Sequence, residues 1–422
     1  MNITQLELMN FRGIKSLELK DDLAFDQKMN IFYGINGTGK TTILNAIAIL
    51  LSWLISRMTS EKSNGKSIEY NDIFIGSVSA SVKIWIENNQ RIYSWQVAKN
   101  KPGRQYPEIK SDYIGASELG KQLAQDLFSP HFPVIAYYPV TRSVLDIPLR
   151  IRKQHDFFTP LSCYDNALSS AADFRAFFEW FREREDIDNE HYRNNEKNSG
   201  EDKQLQAVRN AIYSFMDGFS GLTVRRDPPQ RMEIKKDGKV LNVNQLSDGE
   251  KCLLALVGDL ARRLAIANAG NSINPLEGDG IVLIDEIDLH LHPEWQRMII
   301  PRLLKTFPNC QFFITTHSPL VLNQVKPYNL YKIFYKDSTV QFERPSESYG
   351  KTSERILKDI MDISETTPDE IAEKYDMIYL KISNNDFSGA RQIIDEMRKI
   401  GINEPDLLKA ETLIRRKELI GV

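Results

Sequence analysis

Cysteine is scarce in this sequence, and neither sign of charge dominates. The 422 residues include three cysteines, Cys163, Cys252 and Cys310, and no C-x-x-C pair. This scarcity excludes a disulfide framework and a cysteine-based zinc site, and it is typical of proteins in a reducing cytosol. The formal net charge is −3, which excludes a global basic field, so any surface for nucleic acid must be a local patch.

The sequence also lacks a long uninterrupted apolar run. The most apolar stretch, from Ile43 to Ile55, contains Asn45 and Ser52 and is shorter than the roughly 20 residues that a membrane-spanning helix needs. The first residues alternate between apolar and polar types, unlike the continuous apolar region of a signal peptide. We therefore predict a buried core helix at this stretch and a soluble, cytoplasmic protein with no membrane partner.

The order of apolar patterns predicts a mixed α/β protein with four segments. Strand patterns and the apolar helix occupy residues 1–135, helical patterns dominate 136–245, strands and helices alternate over 246–343, and residues 344–422 are helical. In the last segment, Thr367 before Pro368, with Glu370 three residues later, predicts a capped helix start. In the second segment, an aromatic stripe at spacings of three and four predicts the core-facing side of a helix: Phe174, Phe177, Phe178 and Phe181.

A glycine-rich segment follows the apolar strand pattern Met29–Tyr33 and precedes the apolar helix. Residues 34–41 read GINGTGKT and match G-x-x-x-x-G-K-[ST], in which backbone N–H groups and a helix N-terminus surround phosphates. We call residues 34–42 the P-loop; a plain glycine turn is the alternative. We expect Lys40 to reach the β- and γ-phosphates of a nucleotide and Thr41 to bind Mg²⁺. The predicted nucleotide-binding residues are Gly34, Asn36, Gly37, Thr38, Gly39, Lys40, Thr41 and Thr42.

Acidic residues and histidines crowd together after a second apolar strand pattern, Ile281–Ile284. The stretch IDEIDLHLHPEW has two interpretations. His290 and His292 could join the carboxylates in a metal site, or the carboxylates could serve a nucleotide-bound magnesium at the end of a buried strand. Pro293 and the helical pattern after it predict a turn that separates the histidines. This turn favours the second interpretation.

The first two carboxylates of this stretch have distinct predicted roles. Asp285 comes directly after the strand and is placed to hold Mg²⁺. Glu286 is placed to orient or deprotonate the attacking water, which requires a carboxylate near the γ-phosphate.

Two further segments have the chemistry of anion sites. Ser247-Asp248-Gly249, which we call the signature segment, opens a long helical pattern, where a hydroxyl, a glycine N–H and a helix N-terminus can bind an anion. His317 follows the apolar pattern Gln311–Thr315 and is placed to sense a γ-phosphate. Each also has an ordinary structural interpretation: the signature segment could be a plain helix start, and His317 could be a hydrogen-bonded structural histidine. With the P-loop, they predict an ATPase in which Lys40, Glu286 and His317 are catalytic.

In this order, the four motifs resemble the ABC-type ATPase heads of the SMC and RecF group. The resemblance implies an α/β P-loop ATPase head in which an inserted, mainly helical subdomain (136–245) separates an N-terminal lobe (1–135) from a C-terminal lobe (246–343). A helical tail (344–422) follows. It also implies ATP and Mg²⁺ as ligands, and a dimer in which Ser247 and Gly249 bind the ATP held by the P-loop of the second copy. By the same resemblance, His317 is the switch histidine and Arg12, in the segment Asn10–Gly13, lies near the nucleotide.

The sequence departs from this family at two places. Asp248 stands where the family has a second glycine. The family's metal-binding Q-loop glutamine is not obvious, and Gln96, at the end of a strand pattern, is our candidate for it.

Several segments are similar to the PtuA ATPases of Septu and retron-linked anti-phage systems, within the RecF, SMC and OLD-like group. They are Tyr137–Arg142, Asp146–Arg150, Phe178–Glu185, Leu246–Cys252 and Asp285–Pro293. This resemblance implies an ATP-sandwich dimer within a higher oligomer that controls an HNH endonuclease similar to PtuB. In retron loci it also implies a reverse transcriptase and its RNA–DNA product, msDNA. The tail offers no Toprim-type acidic set such as follows the ATPase in OLD-type nucleases, which favours a separate effector.

Two other functions remain open from the sequence. The first is a RecF-like DNA-binding ATPase in DNA repair that has no nuclease partner. Its candidate phosphate contacts, each also typical of a solvated face, are Arg150, Arg152, Lys153, Arg225 and Arg226. The second, a transporter subunit, fits poorly with the long segment between the P-loop and the signature segment.

Overall fold

The chain divides into two compact units, Met1–Thr352 and Ser353–Val422. The structure is a computed structural model that describes residues 1–103, 109–127, 132–140, 159–168, 174–193, 202–269, 274–336, 339–363 and 367–420. By this division, the second unit begins at Ser353, nine residues after residue 344, at which the sequence predicts that the tail begins. The finer division into four segments stays a prediction.

The first unit combines strands and helices. Its strands are β1 (Asn2–Phe11), β2 (Ile14–Leu19), β3 (Met29–Tyr33), β4 (Ser79–Asn88), β5 (Arg91–Asn100), β6 (Val134–Tyr138), β7 (Phe219–Arg225), β8 (Arg231–Lys236), β9 (Lys239–Asn242), β10 (Gly280–Ile284), β11 (Cys310–Thr315), β12 (Leu330–Lys336) and β13 (Thr339–Glu343). Its helices are α1 (Lys40–Thr59), α2 (Ile114–Gln125), α3 (Phe174–Arg193), α4 (Lys203–Phe215), α5 (Asp248–Ala267), α6 (Pro293–Thr306) and α7 (Pro319–Leu322). The fold is the mixed α/β class that the sequence predicts.

The central sheet has six strands in the order β13-β12-β3-β11-β10-β6. All neighbours pair in parallel except β13, which is antiparallel to β12. Every residue of β3, β6, β10 and β11 is buried, as expected for apolar strands covered on both faces. The parallel arrangement gathers the loops that follow these four strands at one edge of the sheet, which we call the carboxyl edge.

Strand β6 corrects one predicted boundary. It spans Val134–Tyr138 and pairs with β10, so the predicted boundary between residues 135 and 136 falls inside a strand of the central sheet. The physical reason is the burial of β6, whose apolar residues complete the sheet beside β10.

Helix α1 follows the P-loop and is mostly buried in the first unit. It is longer than the apolar run seen in the sequence. Among the described helices, it is the one with the length and composition to cross a membrane, although two thirds of its apolar window, 67%, is buried inside the protein. The prediction of a buried core helix is confirmed.

The described residues of the first unit also form two smaller antiparallel sheets. One has the order β2-β1-β4-β5, and the other, β7-β8-β9, lies within the segment predicted to be mainly helical. The sequence did not predict strands β7–β9, because charged side chains occupy many of their positions and interrupt the apolar alternation. Helix α3 has the predicted aromatic face, with all four phenylalanines buried, and Phe177 packs against Gly258 of α5.

The second unit holds helices α8 (Ser353–Asp359), α9 (Asp369–Ser383), α10 (Phe387–Lys399) and α11 (Pro405–Ile420). The apolar faces of α9, α10 and α11 form a separate core, which contains Ile378, Ile382, Ala390, Ile394, Met397, Leu407, Ala410 and Ile414. The predicted cap at Thr367 is wrong. Helix α9 has Pro368 as its N-cap, without a side-chain hydrogen bond, because extended backbone at Pro368 delays the first helical residue to Asp369.

Candidate functional site

The P-loop connects β3 to α1 at the carboxyl edge. Gly34, Gly37 and Gly39 have φ angles of +149°, +83° and +102°, which glycine adopts without steric cost. A side chain at Gly34 would also place its Cβ 2.2 Å from the carbonyl oxygen of Ile333 in β12. The loop thus turns tightly against the neighbouring strand, and its first residues after Gly34 are exposed.

Backbone carbonyl groups of the P-loop hold the side chain of Lys40. Its Nζ donates hydrogen bonds to the carbonyl oxygens of Gly34 at 2.9 Å and Ile35 at 3.0 Å. An ammonium group has three N–H donors, so the same geometry lets Lys40 bind a phosphate oxygen. Burial lowers the pKa of Lys40, and the nearby charges of Glu286, Asp285 and Asp288 oppose this shift.

Thr41 and Asp285 meet at the carboxyl edge from positions far apart in the sequence. The Thr41 hydroxyl donates to Oδ2 and Oδ1 of Asp285 at 2.9 and 3.1 Å. The hydroxyl of Thr315, at the end of β11, donates to Asp285 Oδ1 at 2.5 Å. Because Mg²⁺ prefers hydroxyl, carboxylate and phosphate oxygens, the adjacent Thr41 and Asp285 oxygens fit a magnesium ion bound together with a nucleotide.

Glu286 adopts an unusual backbone conformation. Its φ is +46°, a left-handed conformation that costs a non-glycine residue about 1–2 kcal/mol. Its N–H donates to the hydroxyl of Thr315 at 2.7 Å. Thr315 therefore holds both the side chain of Asp285 and the backbone of Glu286, and it sets the direction in which the Glu286 carboxylate leaves the strand end.

Asp288 joins the loops that follow β10 and β11. Its Oδ1 accepts hydrogen bonds from the Thr316 hydroxyl at 2.6 Å and from the His317 N–H at 3.3 Å. Burial and the charge of Lys40 lower the pKa of His317, while Asp288, Glu286 and Asp285 oppose the shift. His317 is therefore neutral at pH 7 and lies within the electrostatic reach of the P-loop lysine.

The sequence did not assign Asp288, Thr315 or Thr316 to the site. The position of Asp288 in the acidic stretch is a signal for a role, but the partners that reveal this role belong to the next strand. The two threonines look like ordinary strand-end residues when only the sequence is considered.

The signature segment begins α5. Ser247 is exposed and is the N-cap, with a reciprocal capping box to Glu250. Gly249 is buried, and a Cβ there would lie 2.5 Å from the carbonyl oxygen of His290. The start of α5 therefore packs directly against the loop that continues from Glu286, and this approach explains the need for glycine.

Arg12 lies beside the P-loop, at the turn between β1 and β2. Its Nε donates to Asp72 Oδ1 at 2.9 Å, and with Tyr137 and Asn45 it lines a cleft of about 450 Å³. The next residue, Gly13, faces the hydroxyl of Tyr335, which donates to the Gly37 carbonyl at 3.0 Å. Asp72, Tyr137 and Tyr335 are further residues at this edge that the sequence did not assign to the site.

Gln96 and the side chain of His292 make contacts away from this cluster. Gln96 lies on strand β5, and its side-chain amide donates to the Lys110 carbonyl oxygen at 3.1 Å. The described contacts do not bring Gln96 to Thr41 or Asp285. His292 is the N-cap of α6, and its Nδ1 accepts from the Glu294 N–H at 3.3 Å. The metal role of Gln96 thus has no support from its position, and His292 has a structural role. Arg150, Arg152 and Lys153 lie outside the described residues.

The chain is similar to known families and to known ATPases. The AAA domain family matches residues 5–219, and a second AAA domain family, whose description names an AbiEii toxin of a type IV toxin–antitoxin system, matches residues 141–323. The retron Ec83 probable ATPase of Escherichia coli is 33% identical over 95% of this chain and 83% of its own length. The Septu protein PtuA of Bacillus mycoides is 26% identical over 90% of this chain and 48% of its own length.

A solved structure shares the fold. The crystal structure of the SmcHead bound to the C-winged helix domain of ScpA superimposes with a TM-score of 0.50 and 18% identity, over 81% of this chain and 97% of that chain. The expected SMC-like ATPase head fold is confirmed.

Proposed function

Because this chain belongs to the AAA-domain ATPase family, with retron and Septu PtuA ATPases among its relatives, we propose that it hydrolyses ATP between two copies of itself within an anti-phage defence complex. The observation that carries the proposal is the direct contact of Thr41 with Asp285. This contact joins the P-loop to the acidic strand end, the two parts that ATP hydrolysis requires.

Each copy would bind one nucleotide at its carboxyl edge. The P-loop N–H groups and Lys40 would bind the phosphates, and Thr41 and Asp285 would hold Mg²⁺. A bound Mg²⁺ neutralises phosphate charge and orients the γ-phosphate for attack. Arg12 lines the neighbouring cleft and supplies a further cation near the nucleotide.

Glu286 and His317 would act at the γ-phosphate. Glu286 orients or deprotonates the attacking water, and the neutral imidazole of His317 donates an N–H to a γ-phosphate oxygen. Asp288 supports both by fixing the His317 backbone to the loop that carries Glu286.

The second copy would complete the site. Ser247 is exposed at the N-terminus of α5, and residues 35–37 of the P-loop are exposed as well. A dimer that brings Ser247 and Gly249 of one copy onto the ATP of the other buries both surfaces. ATP shifts the protein toward this closed form only to the extent that it binds the closed form more tightly.

Kinship with retron and Septu ATPases supports the proposed partners. We expect a cytoplasmic assembly of two or more ATPase dimers with an HNH endonuclease similar to PtuB, and with a reverse transcriptase and msDNA if the locus is a retron. Purification of the tagged protein from its native locus, with and without ATP, followed by mass spectrometry, tests this expectation. A protein that comes alone, or only with heterogeneous DNA, contradicts the defence proposal and favours the RecF-like alternative.

The substitution Glu286→Gln tests the catalytic proposal. We expect it to lower ATP hydrolysis by roughly 100-fold or more, to leave ATP binding intact and to trap an ATP-dependent dimer, measured by ATPase assay and light scattering. Glu294→Gln, at an exposed carboxylate in the same stretch, is the matched control and should behave like the parent. If Glu286→Gln hydrolyses ATP at the parental rate, Glu286 is not the base.

A further inference from the structure

Strand β8 places a lysine beside the signature segment. The Nζ of Lys236 donates to Oε1 of Glu250 at 2.6 Å. Glu250 lies in the first turn of α5 and is 5% exposed. The contact therefore links the three-stranded sheet, which contains none of the four nucleotide motifs, to the helix start that carries Ser247.

The other oxygen of Glu250 binds Ser247. Oε2 accepts the Ser247 N–H at 2.8 Å and the Ser247 hydroxyl at 2.9 Å. In this arrangement the hydroxyl proton of Ser247 is donated to a carboxylate of its own chain. Binding of a phosphate oxygen by the same hydroxyl requires that this proton turn away from Glu250.

A carboxylate at this position opposes the approach of a triphosphate. Burial alone would raise the pKa of Glu250, but the hydrogen bonds from Lys236 and Ser247 outweigh burial and lower the pKa below its ordinary value. Glu250 is therefore ionised at neutral pH. Like charges repel strongly when water is excluded between them, so the charge of Glu250 must be compensated before the signature segment can face ATP.

We propose that Lys236 is a positioning residue for ATP-driven closure: it compensates the charge of Glu250, so that Ser247 can turn its hydroxyl to a triphosphate held by the second copy. This inference rests on the proposed ATP-sandwich dimer. It gives the three-stranded sheet a role in ATP hydrolysis, through the strand that supplies the compensating charge.

The substitution Lys236→Met tests this role in the full-length protein. We expect kcat for ATP hydrolysis and the affinity of the ATP-dependent dimer to fall about ten- to a hundredfold, the usual effect of losing a hydrogen bond between charged groups. Binding of ATP to the separate copies should stay parental, because the P-loop is unchanged. Lys236→Arg should restore most of the activity.

Lys239→Met is the matched control. Lys239 lies opposite Lys236 in the β8–β9 ladder and is exposed, so its removal changes the net charge of the same sheet by the same amount. We expect parental closure and hydrolysis from this variant. A fall equal to that of Lys236→Met would show a general effect of surface charge and would overturn the inference.

The double variant Lys236→Met with Glu250→Gln separates charge compensation from a structural role. The uncharged amide needs no compensating lysine, so we expect the double variant to recover at least half of the lost dimer affinity. Equal impairment of the single and double variants overturns the inference, as does parental closure of Lys236→Met. A parental protein that stays monomeric with ATP would instead overturn the sandwich proposal, and the inference with it.

Discussion

Two carboxylates at the carboxyl edge of the central sheet, Asp285 and Asp288, are held by hydroxyl groups, whereas Glu185 and Glu233, around the three-stranded sheet, are held by arginines. Asp285 accepts hydrogen bonds from Thr41 and Thr315, and Asp288 accepts one from Thr316. A hydroxyl group fixes the position of a carboxylate without cancelling its charge. The carboxylates of the carboxyl edge thus remain suited to a metal ion.

Around the three-stranded sheet, arginines neutralise two buried carboxylates. Glu185, 5% exposed, accepts from Arg209 at 2.6 Å and from Arg226 at 2.7 Å. Glu233 pairs with Arg225 and with Arg231. Arg225 and Arg226, candidate phosphate contacts by sequence, are therefore engaged in ion pairs. The buried carboxylates Glu185 and Glu233 thus give Arg225 and Arg226 a structural role, whereas the side-chain hydrogen bonds described for Asp285 come from hydroxyl groups.

The largest expected effect comes from removing charge at the carboxyl edge. Asp285→Asn should lower ATP hydrolysis by roughly 100-fold or more, because an amide cannot supply the charge that holds Mg²⁺. The free energy of unfolding should stay close to the parental value, since Asp285 is held by hydrogen bonds from neutral hydroxyls, and an amide oxygen can also accept these bonds. Steady-state ATPase assays and urea denaturation measure the two quantities. Parental hydrolysis by this variant would remove Asp285 from the site.

The same chemical change in the other region should have the opposite result. Glu185→Gln should lower the free energy of unfolding by about 2 kcal/mol, because two arginines lose a buried carboxylate partner. ATP hydrolysis measured below the unfolding transition should remain parental. Urea denaturation gives the stability change. A variant that loses hydrolysis while keeping its stability would break the comparison.

A smaller effect is expected from His317 as the pH falls. Its folded-state pKa lies below the ordinary value of 6.5, so between these two pKa values the unfolded chain binds more protons than the folded one. The free energy of unfolding should therefore decrease modestly as the pH falls from 7 through 6.5 toward the folded-state pKa, without further loss from this group below it. His317→Gln should lack this component, which chemical denaturation of both proteins over this pH range detects. Parallel pH profiles of the two proteins would contradict the lowered pKa.

The smallest effect should come from the paired arginines. Arg225→Gln combined with Arg226→Gln should change the affinity for duplex DNA less than about twofold, because their charges are already compensated. Each lost phosphate contact would reduce the salt slope of binding by about 0.9, so fluorescence anisotropy over a range of salt concentrations measures the outcome directly. A clear fall in affinity and slope would revive the RecF-like alternative.

Much of the carboxyl edge could be predicted because its motifs are local. The spacing of Gly34 and Gly39 before Lys40 places the P-loop, and the apolar run before Asp285 places a buried strand. Both elements are found where the sequence predicts them. The anchoring of Glu286 and His317 could not be predicted, because it depends on Thr315 and Asp288 from a neighbouring strand and loop.

The remainder of the fold was harder to predict for a similar reason. Strands β8 and β9 carry several charged residues, and Glu233 and Lys236 have their partners in β7 and in α5. The sequence pattern of these strands resembles a solvated surface until these elements pack together. Strand β6 was assigned to a segment boundary because its short apolar run reveals its place only when it pairs with β10.

The sequence by itself determined the P-loop, the strands before it and before Asp285, and the core helix, since glycine spacing and apolar periodicity act on neighbouring residues; the ATPase head fold followed from the resemblance of its motifs to a known family. Only the tertiary structure decided which charged residues could serve a nucleotide. Asp285 and Glu185 carry the same functional group and are both buried, but one meets threonine hydroxyls and the other meets arginines. Electrostatic compensation depends on distance in space, and folding alone brings these partners within range.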